Sequence, residues 1–269
     1  MTNVDVESDV RKISYNDSII SQFTKQAVPF VQMSQHSNQY GLNLMLKLSG
    51  PKHDDTVLDV TRGPGLVSCE FAKIVGHVAG IDLPPAMIEQ AKRLQKEKDL
   101  RNIDWRIGDV YDLPFEDNSF SLVLTRYSLH HMINPKAVIK EMSRVCTPGG
   151  RILIVDVTPP EDKKKAYNYA EKLRDPSHTE ALTLIELQEM VETIGLFNIR
   201  IESQDLEMNL ESILASSFPN PEDKDKINLL FKKDISEDNL GMKSYLKDNK
   251  IHFFFPVSLI VASKPKQRI

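Results

Sequence analysis

The sequence predicts a doubly wound α/β fold, a mostly parallel sheet with helices on both faces. Three observations carry that reading. Short apolar runs alternate with helix-period segments from residue 57 to residue 157. The first run, 57-VLDV-60, ends at the glycine-containing turn TRGPG, as strands do when they feed a helix in parallel sheets. Two further strand patterns then flank a polar stretch near the C-terminus, which brings the expected sheet to seven strands, the last one antiparallel.

Residues 1 to about 12 are polar and aperiodic. From Asp17 to about Leu48, apolar residues recur at three- and four-residue steps (Ile19, Ile20, Phe23, Ala27, then Leu42, Leu44, Met45, Leu48). Pro29 divides that pattern into two helices. After the loop SGPKHDD, strand one covers Val57–Val60, a helix Leu66–Val75, and strand two His77–Ile81. Pro84 and Pro85 suit the opening of a helix over Ala86–Lys98, where a missing N–H costs nothing. Strand three is Ile103–Ile107 and strand four Phe120–Thr125. Asn134-Pro135 reads as an N-cap with proline at the first helical position, leading a helix to about Cys146. Pro148-Gly149-Gly150 ends it and Arg151–Val157 is strand five. A charged helix follows over Glu161–Leu173, and Thr183-x-x-Glu186 is a capping box whose helix stops at Gly195. Phe197–Met208 and Lys250–Ala262 alternate as strands around a polar insertion of surface helices. The organisation expected is an N-terminal helical cap over 1–48, a core over 49–208, the insertion over 209–249, and a last core strand with its tail over 250–269.

Composition narrows the partner. The net charge of −4, with no basic stripe, disfavours nucleic acid and favours a small molecule. The two cysteines, Cys69 and Cys146, have no metal-ligand or Cys-x-x-Cys spacing, and each is expected inside a helix as a small apolar residue. His53, His77 and His252 share no spacing and suggest no metal. The first residues, MTNVDVESDVRK, lack an apolar signal core, and no apolar run is long enough to span a bilayer, so a cytoplasmic protein is expected.

The loop after strand one discriminates between cofactors. A Rossmann dinucleotide fingerprint needs Gly-x-Gly-x-x-Gly, and the corresponding positions are Thr61, Gly63 and Leu66, so NAD and FAD are disfavoured. What remains is Asp59, Gly63 and Gly65, with Asp82 after strand two, where an acid accepts from both ribose hydroxyls. Gly108-Asp109 closes strand three on the same carboxyl edge. Together these describe a pocket for an adenosine without a pyrophosphate.

The stretches VLDVTRGPG, GIDLPPAMIEQAK, WRIGDVYDLPFEDNSFSLVLTRYSLHH and EMSRVCTPGGRILIVD, in this order, resemble the class I S-adenosylmethionine-dependent methyltransferases. The likeness is greatest to the small-molecule branch that includes quinone C-methyltransferases. It covers roughly residues 50 to 160 closely. The resemblance implies a Rossmann-like core that binds S-adenosyl-L-methionine. Thr61, Gly63 and Gly65 would lie by its methionine part, Asp82 by the ribose, Leu83 and Met87 by the adenine, and Gly108, Asp109 and Val110 by the adenine edge. Arg126 and Tyr127 would face the sulfonium. It also implies an N-terminal helical lid carrying Tyr15, Phe23 and His36, and an antiparallel pair of end strands.

Thr61 and Arg62 depart from the family, which has small residues there; a β-branched residue resists positive φ. Arg62 either points to solvent or grips a carboxylate of the cofactor or substrate. Tyr127, His130 and His131 follow strand four where a methyl group would emerge. Either histidine could serve as a base, or else hydrogen-bond a neighbouring loop. Arg174 and His178 could bind an acidic acceptor or form a salt-bridged connector. The expected activity is methyl transfer to O, N or C of a small metabolite. The alternative is an adenosyl-ligand-binding protein or a non-methylating enzyme on the same fold.

Overall fold

The computed structural model describes residues 15–27, 29, 39–61 and 63–266. Helix α1 occupies 15–27, followed by α2 (Gln39–Ser49), β1 (Thr56–Val60), α3 (Leu66–Ala72), β2 (His77–Asp82), α4 (Pro85–Glu97), β3 (Ile103–Ile107) and β4 (Phe120–Arg126). Then come α5 (Pro135–Val145), β5 (Cys146–Val157), α6 (Lys164–Arg174), α7 (Leu184–Thr193), β6 (Phe197–Asn209), α8 (Leu210–Ser217), α9 (Lys224–Glu237), β7 (Tyr245–Lys247) and β8 (Lys250–Ser263). The break expected after Pro29, and His36, fall outside the described residues.

The sheet runs β3-β2-β1-β4-β5-β8-β6. β1 pairs in parallel with β2 on one side and β4 on the other, so the strand order reverses there, and open sheets bind ligands beyond the carboxyl ends at such a switch point. β8 runs antiparallel to both β5 and β6. Strand alternation feeds two cores. Val57, Leu122 and Leu124 face a layer with Phe71, Tyr167 and Phe231, while Leu58, Val60 and Val123 face Val138, Ile139, Met142 and Leu187. Helices therefore cover both faces, as near-continuous apolar strands require.

Local signals explain most boundaries. The Asn134 side chain accepts from the Ala137 N–H with Pro135 at the first turn, and Pro85 opens α4. Thr183 and Glu186 form the reciprocal capping box, and Gly195 follows at φ 88°. Thr183→Ala is expected to lower stability by about 1 kcal/mol, read as a shift in the urea midpoint.

Three expectations need correction. The sheet has eight strands, because β7 joins β8 through a two-residue turn, Asp248-Asn249, with φ values of 50° and 60°. That turn has the mirror-image geometry that matches strand twist, but three residues of strand are too few to show periodicity. Cys146 does not lie in a helix: α5 ends at Val145 rather than at Pro148-Gly149-Gly150, and β5 begins at Cys146, which pairs with Phe120 before a register shift ahead of Leu122, rather than at Arg151. The segment 209–249 is not confined to the surface. Leu210 and Ile213 of α8 and Ile227 and Phe231 of α9 are buried, with helical spacing that the surrounding charges had diluted.

Candidate active site

A cavity of about 220 Å³ opens at the carboxyl edge of the sheet. α1 roofs it, the ends of β1, β2 and β4 floor it, and β6, α8 and β8 supply the far wall. The roof is fastened by two buried glutamines. Gln22 Nε2 donates to the Ser217 carbonyl at 2.6 Å, and Gln26 Nε2 donates to the same carbonyl at 3.3 Å and to Asp175 Oδ2 at 3.2 Å.

The loop after β1 solves its steric problem residue by residue. Thr61 adopts φ 56° despite its β-branch, and its hydroxyl lies 2.9 Å from Thr125 Oγ1 and 2.5 Å from Ser128 Oγ, fixing the strained position. At Gly63, φ 56°, an added Cβ would meet nothing within 4 Å, so the cavity side is open to a ligand. At Gly65, φ 84°, an added Cβ would stand 2.7 Å from Ala91 Cβ. Gly65 therefore lets α3 and α4 pack closely and does not line the cavity, unlike Gly63. Gly108 likewise lies off the lining, where a Cβ would strike Ile81 Cδ1 at 2.8 Å. Arg62 lies outside the described residues.

Acids punctuate the strand ends. Asp59, 1% exposed, accepts from Ser68 Oγ. Asp82 accepts from the Gly63 N–H and the Leu83 N–H, each at 2.8 Å, which sets its carboxylate at the cavity rim. Asp109 accepts from the Tyr111 N–H at 2.9 Å, turning the chain so that Asp109, Val110 and Tyr111 all line the cavity with Leu83 and Met87. Arg126 at the end of β4 and Tyr127 just after it line the cavity, with the guanidinium 4.5 Å from the ring centroid.

Both histidines of the SLHH stretch reach the wall, with pKa values shifted in opposite directions. His130 Nδ1 lies 2.5 Å from Asp156 Oδ1. Burial opposes its charge, but the Asp156 carboxylate outweighs that and raises the His130 pKa; burial likewise works against ionised Asp156, whose pKa the His130 charge and backbone N–H donors bring down. His131 Nδ1 meets the Ser177 carbonyl at 3.1 Å, which places the ring proton on Nδ1 and leaves Nε2 as acceptor. Burial, then the His130 charge, push its pKa down to about 4.

That depression sets an acid limb. The unfolded chain takes up the His131 proton near its ordinary 6.5 and the folded chain near 4, so stability from neutral His131 is intact above 6.5 and lost as pH falls toward 4. The slope reaches about 1.4 kcal/mol per pH unit in that window. His131→Gln is expected to flatten the fall in urea midpoint between those pH values.

The structure does not bring Arg174 and His178 to the cavity together. Arg174 lines the cavity, but its fork is engaged with Glu171 at 2.8 and 2.7 Å, and His178 lies off the lining with Nε2 2.6 Å from Asn168 Oδ1. The connector reading fits this geometry. Sequence reasoning missed Asp156, although an acid ending an apolar strand is the signal that exposed Asp59 and Asp82. It also missed Glu171, Asp175 and the apolar wall of Leu206, Met208, Ile213 and Phe255, which no local pattern marks.

Among the described residues no cluster could hold a metal ion, and no helix is long and apolar enough to cross a membrane. A methyltransferase-domain family model matches residues 58–154. The uncharacterized methyltransferase YcgJ of Bacillus subtilis is 30% identical over 206 residues, 76% of this chain and 81% of that protein. Its crystal structure superposes with a TM-score of 0.79 at 27% identity, over 85% of this chain and all of that one. A candidate methyltransferase from Bacillus halodurans gives a TM-score of 0.76 at 28% identity, over 84% of this chain and all of that one. A ubiquinone/menaquinone biosynthesis C-methyltransferase of Ruegeria is 31% identical over 129 residues, 46% of this chain and 52% of that protein. The Rossmann-like sheet with its antiparallel end strands, the carboxyl-edge cavity and these likenesses converge: the chain belongs to the methyltransferase-domain family, among the class I small-molecule methyltransferases.

Proposed function

We propose that the protein binds S-adenosyl-L-methionine along the ends of β1, β2 and β3 and transfers its methyl group to O, N or C of a small molecule seated toward β4 and α8. The observation that carries this is the conjunction of Asp82, held at the rim by two backbone N–H groups, with Gly63, whose missing Cβ leaves open space. A carboxylate so placed suits a ribose diol, and Leu83, Met87 and Val110 suit the face of an adenine. When bound, S-adenosyl-L-methionine supplies an electrophilic methyl group. The chain's own part is alignment and exclusion of water. α1 acts as the lid, tied through Gln22 and Gln26. His131, neutral with Nε2 as acceptor, is the histidine able to take a proton from an acceptor that still carries one. Asp59 and Thr61 shape the loop that would hold the methionine part.

Incubation with methyl-labelled cofactor and a small-molecule extract tests the activity. Label in a low-molecular-weight product is expected. Tight binding of the cofactor without labelled product would favour an adenosyl-binding protein instead.

A further inference from the structure

The cavity combines an apolar wall with one unusual cation. Leu206 and Met208 of β6, Ile213 of α8 and Phe255 of β8 form the wall. Most charges there are already satisfied. Arg174 grips Glu171, His130 meets Asp156, and Asp175 accepts from Ser177 and Gln26. Arg126 differs. Its guanidinium lies over the Tyr127 ring at 4.5 Å, it lines the cavity, and among the described residues it forms no ion pair. The Tyr127 hydroxyl is buried without a hydrogen-bond partner, which costs about 1–3 kcal/mol unless a ligand supplies one. A weakly hydrated guanidinium on an aromatic face is suited to a planar oxyanion.

We propose that the methyl acceptor is an apolar molecule carrying one acidic oxygen group, a carboxylic acid or an acidic phenol or enol, packed against the β6–α8–β8 wall with its oxyanion bound by the Arg126 guanidinium and the Tyr127 hydroxyl. The inference rests on the methyltransferase reading and gives it a substrate class. An acceptor bound as its anion has already released its proton to solvent, so the site needs no strong base. This agrees with His131 being a weak base, its pKa pushed down to about 4 by burial and by the His130 charge. It also reassigns Arg126 from the cofactor to the acceptor.

The probe is 4-nitrophenol, whose phenolate absorbance reports its own ionisation, titrated alone and with excess protein, beside nitrobenzene as the neutral match. Bound 4-nitrophenol is expected to show an apparent pKa lowered by about one unit, and nitrobenzene to bind about tenfold more weakly. Arg126→Gln should abolish the shift, Arg126→Lys should restore part of it, and Tyr127→Phe should reduce it. S-adenosylhomocysteine affinity, measured by calorimetry on the same variants, should be unchanged. An unshifted or raised pKa, equal binding of nitrobenzene, or a shift that survives in Arg126→Gln overturns the proposal. Loss of S-adenosylhomocysteine binding in Arg126→Gln also overturns it, by assigning the guanidinium to the cofactor carboxylate. Failure of the unaltered protein to bind S-adenosylhomocysteine would instead remove the methyltransferase reading, and is separately visible.

Discussion

Glu171→Leu is expected to destabilise the protein by about 3–5 kcal/mol, because it leaves the Arg174 guanidinium buried without its counter-charge. Glu171 is 2% exposed and Arg174 7% exposed, and the two share a bidentate contact at 2.8 and 2.7 Å. Against a typical total of about 5–15 kcal/mol, that loss is a large fraction of the stability. The double variant Glu171→Leu with Arg174→Met is expected to recover most of it, since replacing both ions removes two desolvation costs together with their attraction. Urea unfolding of the two single variants and the double variant measures the coupling. A single variant that loses less than about 1 kcal/mol would mean that Arg174 reaches water, as exposed ion pairs do.

Asp82→Ala is expected to weaken S-adenosylhomocysteine binding about a hundredfold, the loss of two charge-assisted hydrogen bonds of about 1.5 kcal/mol each. The same carboxylate orients the Gly63 and Leu83 N–H groups, so the alanine variant also loosens the loop that faces the ligand. Asp82→Asn separates the two effects: it retains an acceptor for the loop but loses the charge, and should fall between. Calorimetric titration of the three proteins, with urea unfolding as a control for folding, distinguishes a binding residue from a structural one.

Much of this was legible in the residues. The doubly wound core was, because strand–helix alternation over residues 57–157 is long enough for both periods to show and the caps at Asn134 and Thr183 are local chemistry. Acids at strand ends marked Asp59, Asp82 and Asp109, since topology alone places the ends of parallel strands on one edge. The distinction between Gly63 and Gly65 was not legible: both take positive φ, but only tertiary contact shows that one faces open space and the other Ala91. The same holds for the wall. Leu206, Met208, Ile213 and Phe255 meet only through long-range packing of β6, α8 and β8. Thr61 looked adverse because β-branching penalises its conformation, and the compensation came from Thr125 and Ser128, more than sixty positions away. The partners of His130 and His131 were equally remote, on β5 and on the turn after α6.

Calorimetry of the unaltered protein with S-adenosylhomocysteine and with NAD bears most directly on the claim that this edge is an adenosyl site serving methyl transfer. One S-adenosylhomocysteine per chain, with no NAD binding and with affinity lost in Asp82→Ala, is the result expected. Binding of NAD with none of S-adenosylhomocysteine, or S-adenosylhomocysteine binding indifferent to Asp82→Ala, would contradict it.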